Sequence, residues 1–226
     1  MGELRRAGGV SALIEAMCYL IGFVMIATVL NPGNADDWSQ TQKLEFVLEQ
    51  KVLFQVWNII IYVVFGFALV VLTAALHQLL NKVSPEIIIV ATPFGYIWAG
   101  LVIASGMVAN IGLDMVANTY SQNVSQAVEA WSIIGTVQDG LGGGVELVGG
   151  MWVLLLSLAA RQSVDIFPKV LIYLGLFVGI AGILTIVPVL GGLGAVFGLS
   201  QIVWFVAIAV ILLRRNEARQ KVAKDV

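Results

Sequence analysis

The run from Val52 to Leu80 reads VLFQVWNIIIYVVFGFALVVLTAALHQLL and contains no Asp, Glu, Lys or Arg. An α-helix needs about 20 mostly apolar residues to cross the hydrocarbon core of a bilayer, and this run is longer than that. A helix that is apolar on all sides is buried in a large core or in lipid. The run therefore predicts a transmembrane helix.

The composition of the whole chain supports the same class. Of its 226 residues 59% are hydrophobic and 12% are charged, and the mean hydropathy is +0.95. Soluble domains carry about 25% charged residues. Connections between the apolar runs are too short for a soluble domain, so we expect a single all-α transmembrane domain over residues 1–226 in a lipid bilayer. A net charge of −2 argues against nucleic acid as a partner.

Six apolar runs predict a six-helix bundle. The predicted spans are residues 9–31, 52–80, 87–116, 128–160, 166–187 and 196–215. The length of the first run, and the acidic Glu15 inside it, favour a retained helix over a cleaved signal peptide. The turn from Pro188 to Gly194 carries no charge and is compatible with a buried or reentrant hairpin.

The Lys and Arg residues predict the orientation of these six spans. One side receives only Lys43 and Lys51. The other side receives Arg5, Arg6, Lys82, Arg161, Lys169, Arg214, Arg215, Arg219, Lys221 and Lys224. The positive-inside tendency therefore places both termini in the cytoplasm. On the opposite side, residues 40–51 predict either a short helix at the interface or a capped extension of the second span.

The fourth predicted helix is rich in glycine, and residues 135–150 read GTVQDGLGGGVELVGG. Glycine costs roughly 1 kcal/mol in a helix interior. Its density here indicates close helix packing or a locally unwound segment that lines a cavity, and the common GxxxG spacing favours packing. The candidate packing residues are Gly140, Gly144, Gly142, Gly149, Gly143 and Gly150.

Four carboxyl groups lie in or near the apolar runs: Glu15, Asp114, Asp139 and Glu146. A charge at the bilayer centre costs at least about 2.5 to 3.5 kcal/mol. Counting from the span centres places Glu146 near the midplane, Asp139 in the outer half and Glu15 in the cytoplasmic half. Asp139 and Glu146 are seven residues apart, on nearly one face of a continuous helix. Acids staggered in this way can relay protons or hold a partly hydrated cation.

Several polar residues also have structural interpretations. Asn110 lies one helical turn before Asp114. The position of Asp114 itself fits a solvated helix end. Asn58 and Gln201 fit interhelical hydrogen bonds. Glu146 is the strongest functional candidate, because an acid near the midplane among glycines has few structural explanations.

The tryptophans fall into two groups. Trp38, Trp57 and Trp131 lie near the predicted outer interface and are expected to be anchors rather than ligand contacts. Trp98, Trp152 and Trp204 lie deeper and are expected to pack against neighbouring helices or lipid.

The chain carries no HExxH pair, Walker loop or dinucleotide fingerprint, and it has one His and one Cys. We therefore expect no metal site, no cofactor and no enzymatic activity.

Three stretches resemble one family. PFGYIWAG at 93–100, SGMVANIGLD at 105–114 and LGGGVELVGGMWVLLLSLA at 141–159 are similar to segments of bacterial membrane proteins grouped only as a domain of unknown function. The resemblance implies a six-helix protein of the bacterial inner membrane and brings no activity with it.

We predict transport of a proton or small cation, or of a small solute coupled to one, with Glu146 at the centre and Asp139 and Glu15 as relays. The alternative is a non-catalytic binding or assembly protein, whose glycine-rich helix docks a lipid, an apolar ligand, a partner subunit or a second copy. A hydrated cavity that reaches Glu146 would favour transport, a dry glycine-packed seam with protonated acids would favour assembly, and an apolar ligand in the interior would favour binding.

Overall fold

The computed structural model describes residues 2–33, 35, 37–162 and 166–224. This part of the chain is 85% helical and contains no strand, which confirms the predicted all-α class. The α-helices are α1 (Gly2–Ala27), α2 (Gln40–Glu49), α3 (Lys51–Asn58), α4 (Phe65–Leu80), α5 (Pro85–Tyr120), α6 (Val124–Gln138), α7 (Leu147–Ala160), α8 (Lys169–Leu184) and α9 (Leu193–Lys224).

Five helical segments among the described residues are long and apolar enough to cross a membrane: Gly2–Ala27, Lys51–Leu80, Pro85–Tyr120, Val124–Ala160 and Leu193–Arg214. The protein is therefore embedded in a membrane. The sixth predicted span, 166–187, corresponds to α8, which is apolar but has only 16 residues. At 1.5 Å per residue α8 is about 24 Å long, less than the ~30 Å hydrocarbon core.

Among the described residues, two π-helical segments lie within the long helical segments. Ile59–Val64 joins α3 to α4 without breaking the Lys51–Leu80 segment. Asp139–Gly143 follows α6 and leads into an irregular stretch before α7. Wide turns of this kind are rare and occur often at functional sites.

The prediction of one continuous helix over 128–160 is wrong, because the chain leaves helical geometry within the glycine-rich stretch. Gly142 has φ +121°, a conformation that side chains with a Cβ rarely adopt. Gly144 follows with φ −140°, and α7 begins only at Leu147. The local conformation is therefore one that glycine makes accessible, and it divides α6 from α7.

The candidate packing glycines divide at this break. A Cβ on Gly150 would lie 2.7 Å from the carbonyl oxygen of Gly179, and one on Gly149 would lie 2.6 Å from the Trp98 ring. These two glycines allow α7 to approach α8 and α5. By contrast, a Cβ on Gly140 would meet nothing within 4 Å. The expected close packing is therefore not seen at Gly140, Gly142 or Gly144. A Cβ on Gly143 would lie 3.1 Å from the Tyr62 hydroxyl oxygen, so this glycine of the break also allows a close approach between helices.

The core of the bundle is aromatic. Trp98, Trp152 and Trp204 are at most 2% exposed, and their ring centroids follow one another at 5.8 Å. α1 packs along both α4 and α9, and α7 packs along α8. The expected packing of these three tryptophans is confirmed.

The segment before α3 forms a separate short helix, one of its two predicted forms. Ser39 and Gln42 make a capping box at the start of α2, with each side chain bonded to the backbone N–H of the other. Leu44 is 1% exposed and packs with Val116 and Ala127. These contacts fix α2 against the C-terminal part of α5 and the N-terminal part of α6.

Candidate functional site

A cavity of about 350 Å³ lies between α1, the π-helical segment Ile59–Val64, α5 and the broken helix. Six aromatic side chains line it: Tyr19, Phe23, Trp57, Tyr62, Phe65 and Trp98. Glu146 is the one Asp, Glu, Lys, Arg or His side chain among the described residues that line this cavity. The backbone of residues 142–144 and the start of α9 complete the wall.

The cavity has an accessible rim and a closed floor. Ile26, Gly144 and Ala195 are exposed at the rim. Phe65 and Trp98 are 3% and 2% exposed at the floor. A ligand could therefore enter from the rim and reach the aromatic floor without opening the core.

The broken helix brings Glu146 to the wall. Glu146 is the residue that caps the N-terminus of α7, and its side chain makes no capping hydrogen bond. Its Oε2 atom is buried and has no hydrogen-bond partner among the described residues. The Glu146 side chain thus lies at the cavity, and its Oε2 atom makes no hydrogen bond within the described part of the structure.

The backbone at Glu146 is anchored to α8. Its N–H donates a hydrogen bond of 2.8 Å to Oγ1 of Thr185, and the Thr185 hydroxyl donates one of 2.7 Å to the carbonyl of Gly182. Thr185 is 3% exposed. One buried hydroxyl therefore ties the start of α7 to the end of α8.

The helix contacts place Glu146 near the middle of the bundle. A Cβ on Gly149 would touch Trp98, and one on Gly95 would touch Trp152. α7 therefore runs antiparallel to α5, with Glu146 level with about residue 101. Counting 1.5 Å per residue along α5, this level is roughly 20 Å from the charged groups toward either end of that helix.

Glu15 lies on α1 just outside the cavity, whose lining on this helix runs from Cys18 to Ile26. Tyr19 lies in the cavity wall, as Glu146 does. Glu15 is one helical turn, about 6 Å, from Tyr19 along α1. The predicted difference in depth between Glu15 and Glu146 stays a prediction.

Glu15 is more deeply buried than any other candidate acid. It is 0% exposed, and neither carboxyl oxygen has a hydrogen-bond partner among the described residues. Gln201 on α9 is likewise 0% exposed, with both amide atoms unpartnered in the same part of the chain. The interhelical hydrogen bond expected for Gln201 is therefore absent among the described residues. Unpaired buried polar groups are costly.

Asp139 lies on the other side of the break. Its side chain is exposed, and its carbonyl accepts a 3.3 Å hydrogen bond from the N–H of Gly144. Because the helix is broken between them, Asp139 and Glu146 do not share one continuous helix face as predicted. Tyr62 connects the two regions: it lines the cavity, lies within electrostatic range of both acids and accepts a 3.2 Å hydrogen bond from Gln138.

The remaining polar candidates form a seam between α3 and α5, outside the cavity lining. The Asn58 side chain donates to Asn110 at 3.0 Å, as expected for an interhelical bond. Lys51 pairs with Asp114 at 2.6 Å, and Gln55 donates to the same carboxylate at 3.1 Å. This seam joins helices, and nothing in it faces the cavity.

Sequence reasoning did not identify the aromatic wall. Trp57, expected to be an interface anchor, lines the cavity together with Tyr19 and Tyr62. Aromatic residues in an apolar helix give the same sequence signal whether they face lipid, core or cavity. The Ile59–Val64 segment is an apolar run with a single tyrosine, and this pattern is not specific to the lining of a cavity.

Among the described residues, no group of three or more His, Cys, Asp or Glu side chains could hold a metal ion.

A bundle of apolar helices with a carboxyl group at a central cavity defines an integral membrane protein with a candidate ligand site. The chain belongs to the family described as Domain of unknown function (DUF4386), whose model matches residues 7–215. This match covers every helix that lines the cavity and confirms the family resemblance seen in the sequence. No curated protein and no solved structure matches the chain.

Proposed function

We propose that this protein moves a proton or a small cation, or a small solute coupled to one, across a bacterial inner membrane, with Glu146 as the central group. The observation that carries this proposal is the break in the α6–α7 segment, which brings a carboxyl group to the wall of a central cavity. Irregular backbone at membrane depth is tolerated where it is buried in protein or lines a cavity. Discontinuous helices of this kind form the binding sites of many transporters.

Glu15 and Asp139 are the proposed relays on either side of Glu146. Tyr19 lines the cavity one helical turn from Glu15, and Tyr62, which also lines it, accepts a hydrogen bond from Gln138, the residue before Asp139. A phenol can both donate and accept a hydrogen bond, so each tyrosine can connect two carboxyl groups. The proposed path therefore alternates carboxyl and phenol groups around the cavity.

The proposed topology has six spans, with α8 as the short one and both termini in the cytoplasm. The excess of Lys and Arg on one side requires an even number of spans. The side chains of Arg215, Arg219, Lys221 and Lys224, which contribute to that excess, lie outside the described part of the structure. Apolar residues after α8, including Val187 and Val189, are exposed and suit contact with lipid.

Flux in proteoliposomes tests this function. A pH-sensitive dye inside the vesicles would report proton entry driven by a potassium diffusion potential. We expect the wild-type protein to pass protons, Glu146→Gln to lose most of that flux, and Asp114→Asn, in the polar seam, to retain it. Equal flux in the wild type and in Glu146→Gln would remove Glu146 from the mechanism.

The aromatic wall favours a second function, in which the protein binds an apolar ligand or lipid, or docks a membrane partner, without transport. The close contacts at Gly149 and Gly150 lie within the bundle, between α7 and its neighbours α5 and α8, so a partner would dock on another face of the protein. In that case ligand binding would persist in Glu146→Gln, and neither the wild type nor this variant would show flux. Neither function involves catalysis.

A further inference from the structure

We propose that the cavity binds a monovalent organic cation with apolar substituents, such as a quaternary ammonium compound, with Glu146 as its counter-charge. This inference rests on the proposed function and deepens it by naming the substrate class. It depends on three features of the cavity: its charge, the chemistry of its wall and its size.

The charge of the cavity favours a cation. Glu146 is partly buried at the wall, and its Oε2 atom has no hydrogen-bond partner among the described residues. The lining in the described part of the chain contains no Lys, Arg or His that could neutralise it. A carboxylate in an apolar wall is stabilised by a positive ligand, because the water that would otherwise solvate it is largely excluded.

The wall favours an organic cation over an inorganic one. Hard cations such as Mg²⁺ and Ca²⁺ bind six or more oxygen atoms. This wall instead offers six aromatic side chains and one carboxyl group, and its other oxygen atoms are the hydroxyls of two of those aromatics, Tyr19 and Tyr62, and the backbone carbonyls of the lining. Aromatic faces attract alkylammonium groups through cation–π interactions, and they bury the alkyl substituents at the same time.

The size of the cavity limits the ligand. Its volume of about 350 Å³ is near the lower end of typical ligand pockets, which hold roughly 300 to 1,000 Å³. It has room for about twelve groups the size of a water molecule, at about 30 Å³ each. Such a space suits a compact cation such as benzyltrimethylammonium and is too small to enclose the acyl chains of a phospholipid.

Binding to the purified full-length protein in detergent tests the proposal. The probes are benzyltrimethylammonium and neopentylbenzene, which has the same shape but a carbon atom in place of the charged nitrogen. Trp57 and Trp98 lie in the wall, so quenching of tryptophan fluorescence reports occupancy. Calorimetry provides a second measurement that does not depend on these residues.

We expect the cation to bind at least about tenfold more tightly than its neutral analogue. Glu146→Gln should reduce that preference to the part that the aromatic wall supplies, whereas Asp114→Asn should preserve it in full. Trp57→Leu should weaken cation binding and Trp57→Phe should restore part of it, which gives a second test if Glu146→Gln does not fold. Thermal unfolding curves of each variant would show whether it is folded.

Equal affinity for the two probes, or an undiminished cation preference in Glu146→Gln, would overturn the proposal. The result is separable from the proposed function. Flux that depends on Glu146 but is unaffected by benzyltrimethylammonium would reject the organic cation and leave transport standing. Binding that depends on Glu146 without any flux would reject transport and leave the cation site standing.

Discussion

Thr185 accepts a 2.8 Å hydrogen bond from the backbone N–H of Glu146 and so connects the end of α8 to the start of α7. The candidate acid therefore depends on a neighbouring helix for its position, since its own helix begins only at the next residue. Movement of α8 relative to α7 would therefore stretch or break this hydrogen bond.

Replacing this hydroxyl should loosen the break. Thr185→Val keeps the shape of the side chain but leaves the Glu146 N–H unpaired in a buried site, which typically costs about 1 to 3 kcal/mol. We expect a lower midpoint of thermal unfolding in detergent. Thr185→Ser keeps the hydroxyl and serves as the control, so equal midpoints for Val and Ser would contradict a structural role for the bond.

The seam between α7 and α8 should not tolerate a methyl group. In Gly150→Ala the new Cβ would lie 2.7 Å from backbone atoms of Gly179 and Ile183, which cannot move aside as a flexible side chain would. Overpacking of this kind costs typically about 1 to 3 kcal/mol. Gly100→Ala is the matched control, because a Cβ there meets nothing within 4 Å. A melting temperature for Gly150→Ala as high as that of Gly100→Ala would show that the helices are not in close contact.

The break itself should require glycine at one position. Gly142 has φ +121°, whereas Gly140, two residues earlier, is not among the glycines with positive φ. A positive φ costs a residue with a Cβ roughly 1 to 2 kcal/mol. We therefore expect Gly142→Ala to reduce both stability and flux, and Gly140→Ala to leave both nearly unchanged. Equal effects of the two substitutions would contradict the requirement for glycine at position 142.

Removing the buried acid of α1 should separate stability from function. Glu15 is 0% exposed, and both of its carboxyl oxygen atoms are unpartnered among the described residues. Glu15→Met replaces this poorly solvated carboxyl group with an apolar side chain and should therefore raise the midpoint of thermal unfolding. If Glu15 is a relay, the same variant should lose flux. Glu129→Met, at an exposed site, controls for the substitution itself. A destabilised Glu15→Met that keeps its flux would contradict both parts.

The six-span topology predicts which loops a membrane-impermeant maleimide can reach. In a Cys18→Ser background, Ser121→Cys lies between α5 and α6 and should be labelled in intact cells. Asn81→Cys lies between α4 and α5 and should be labelled only after the membrane is permeabilised. A C-terminal cysteine should behave like Asn81→Cys if α8 crosses the bilayer. Labelling of the C-terminal cysteine from outside would instead support five spans.

The helical class was predictable because a bilayer imposes it: a run such as Val52–Leu80 has no other stable form in lipid. The break in the α6–α7 segment was only partly predictable. Glycine density at 140–144 is a signal for close packing and for unwinding alike, and the choice depends on which neighbours are present. Gly149 and Gly150 have such neighbours, whereas Gly140 does not.

The candidate site was predictable only through Glu146. A carboxyl group stands out in an apolar sequence, but the rings around it do not, so Tyr19 and Trp57 carried no distinguishing signal. Which of these rings share one cavity with Glu146 depends on how neighbouring helices are placed against one another. That information comes from the contacts between helices and not from the pattern within any one of them.

The short length of α8 has a consequence for the surrounding lipid. Tilting only reduces the thickness that a helix covers, so an apolar helix about 24 Å long cannot by itself match a hydrocarbon layer of about 30 Å. If α8 spans, the bilayer beside it thins wherever the apolar residues that follow the helix do not make up the difference. Headgroups and water would then be drawn toward Thr185 and the adjoining cavity, and the acyl-chain length of the host membrane would help to set how wet the site around Glu146 becomes.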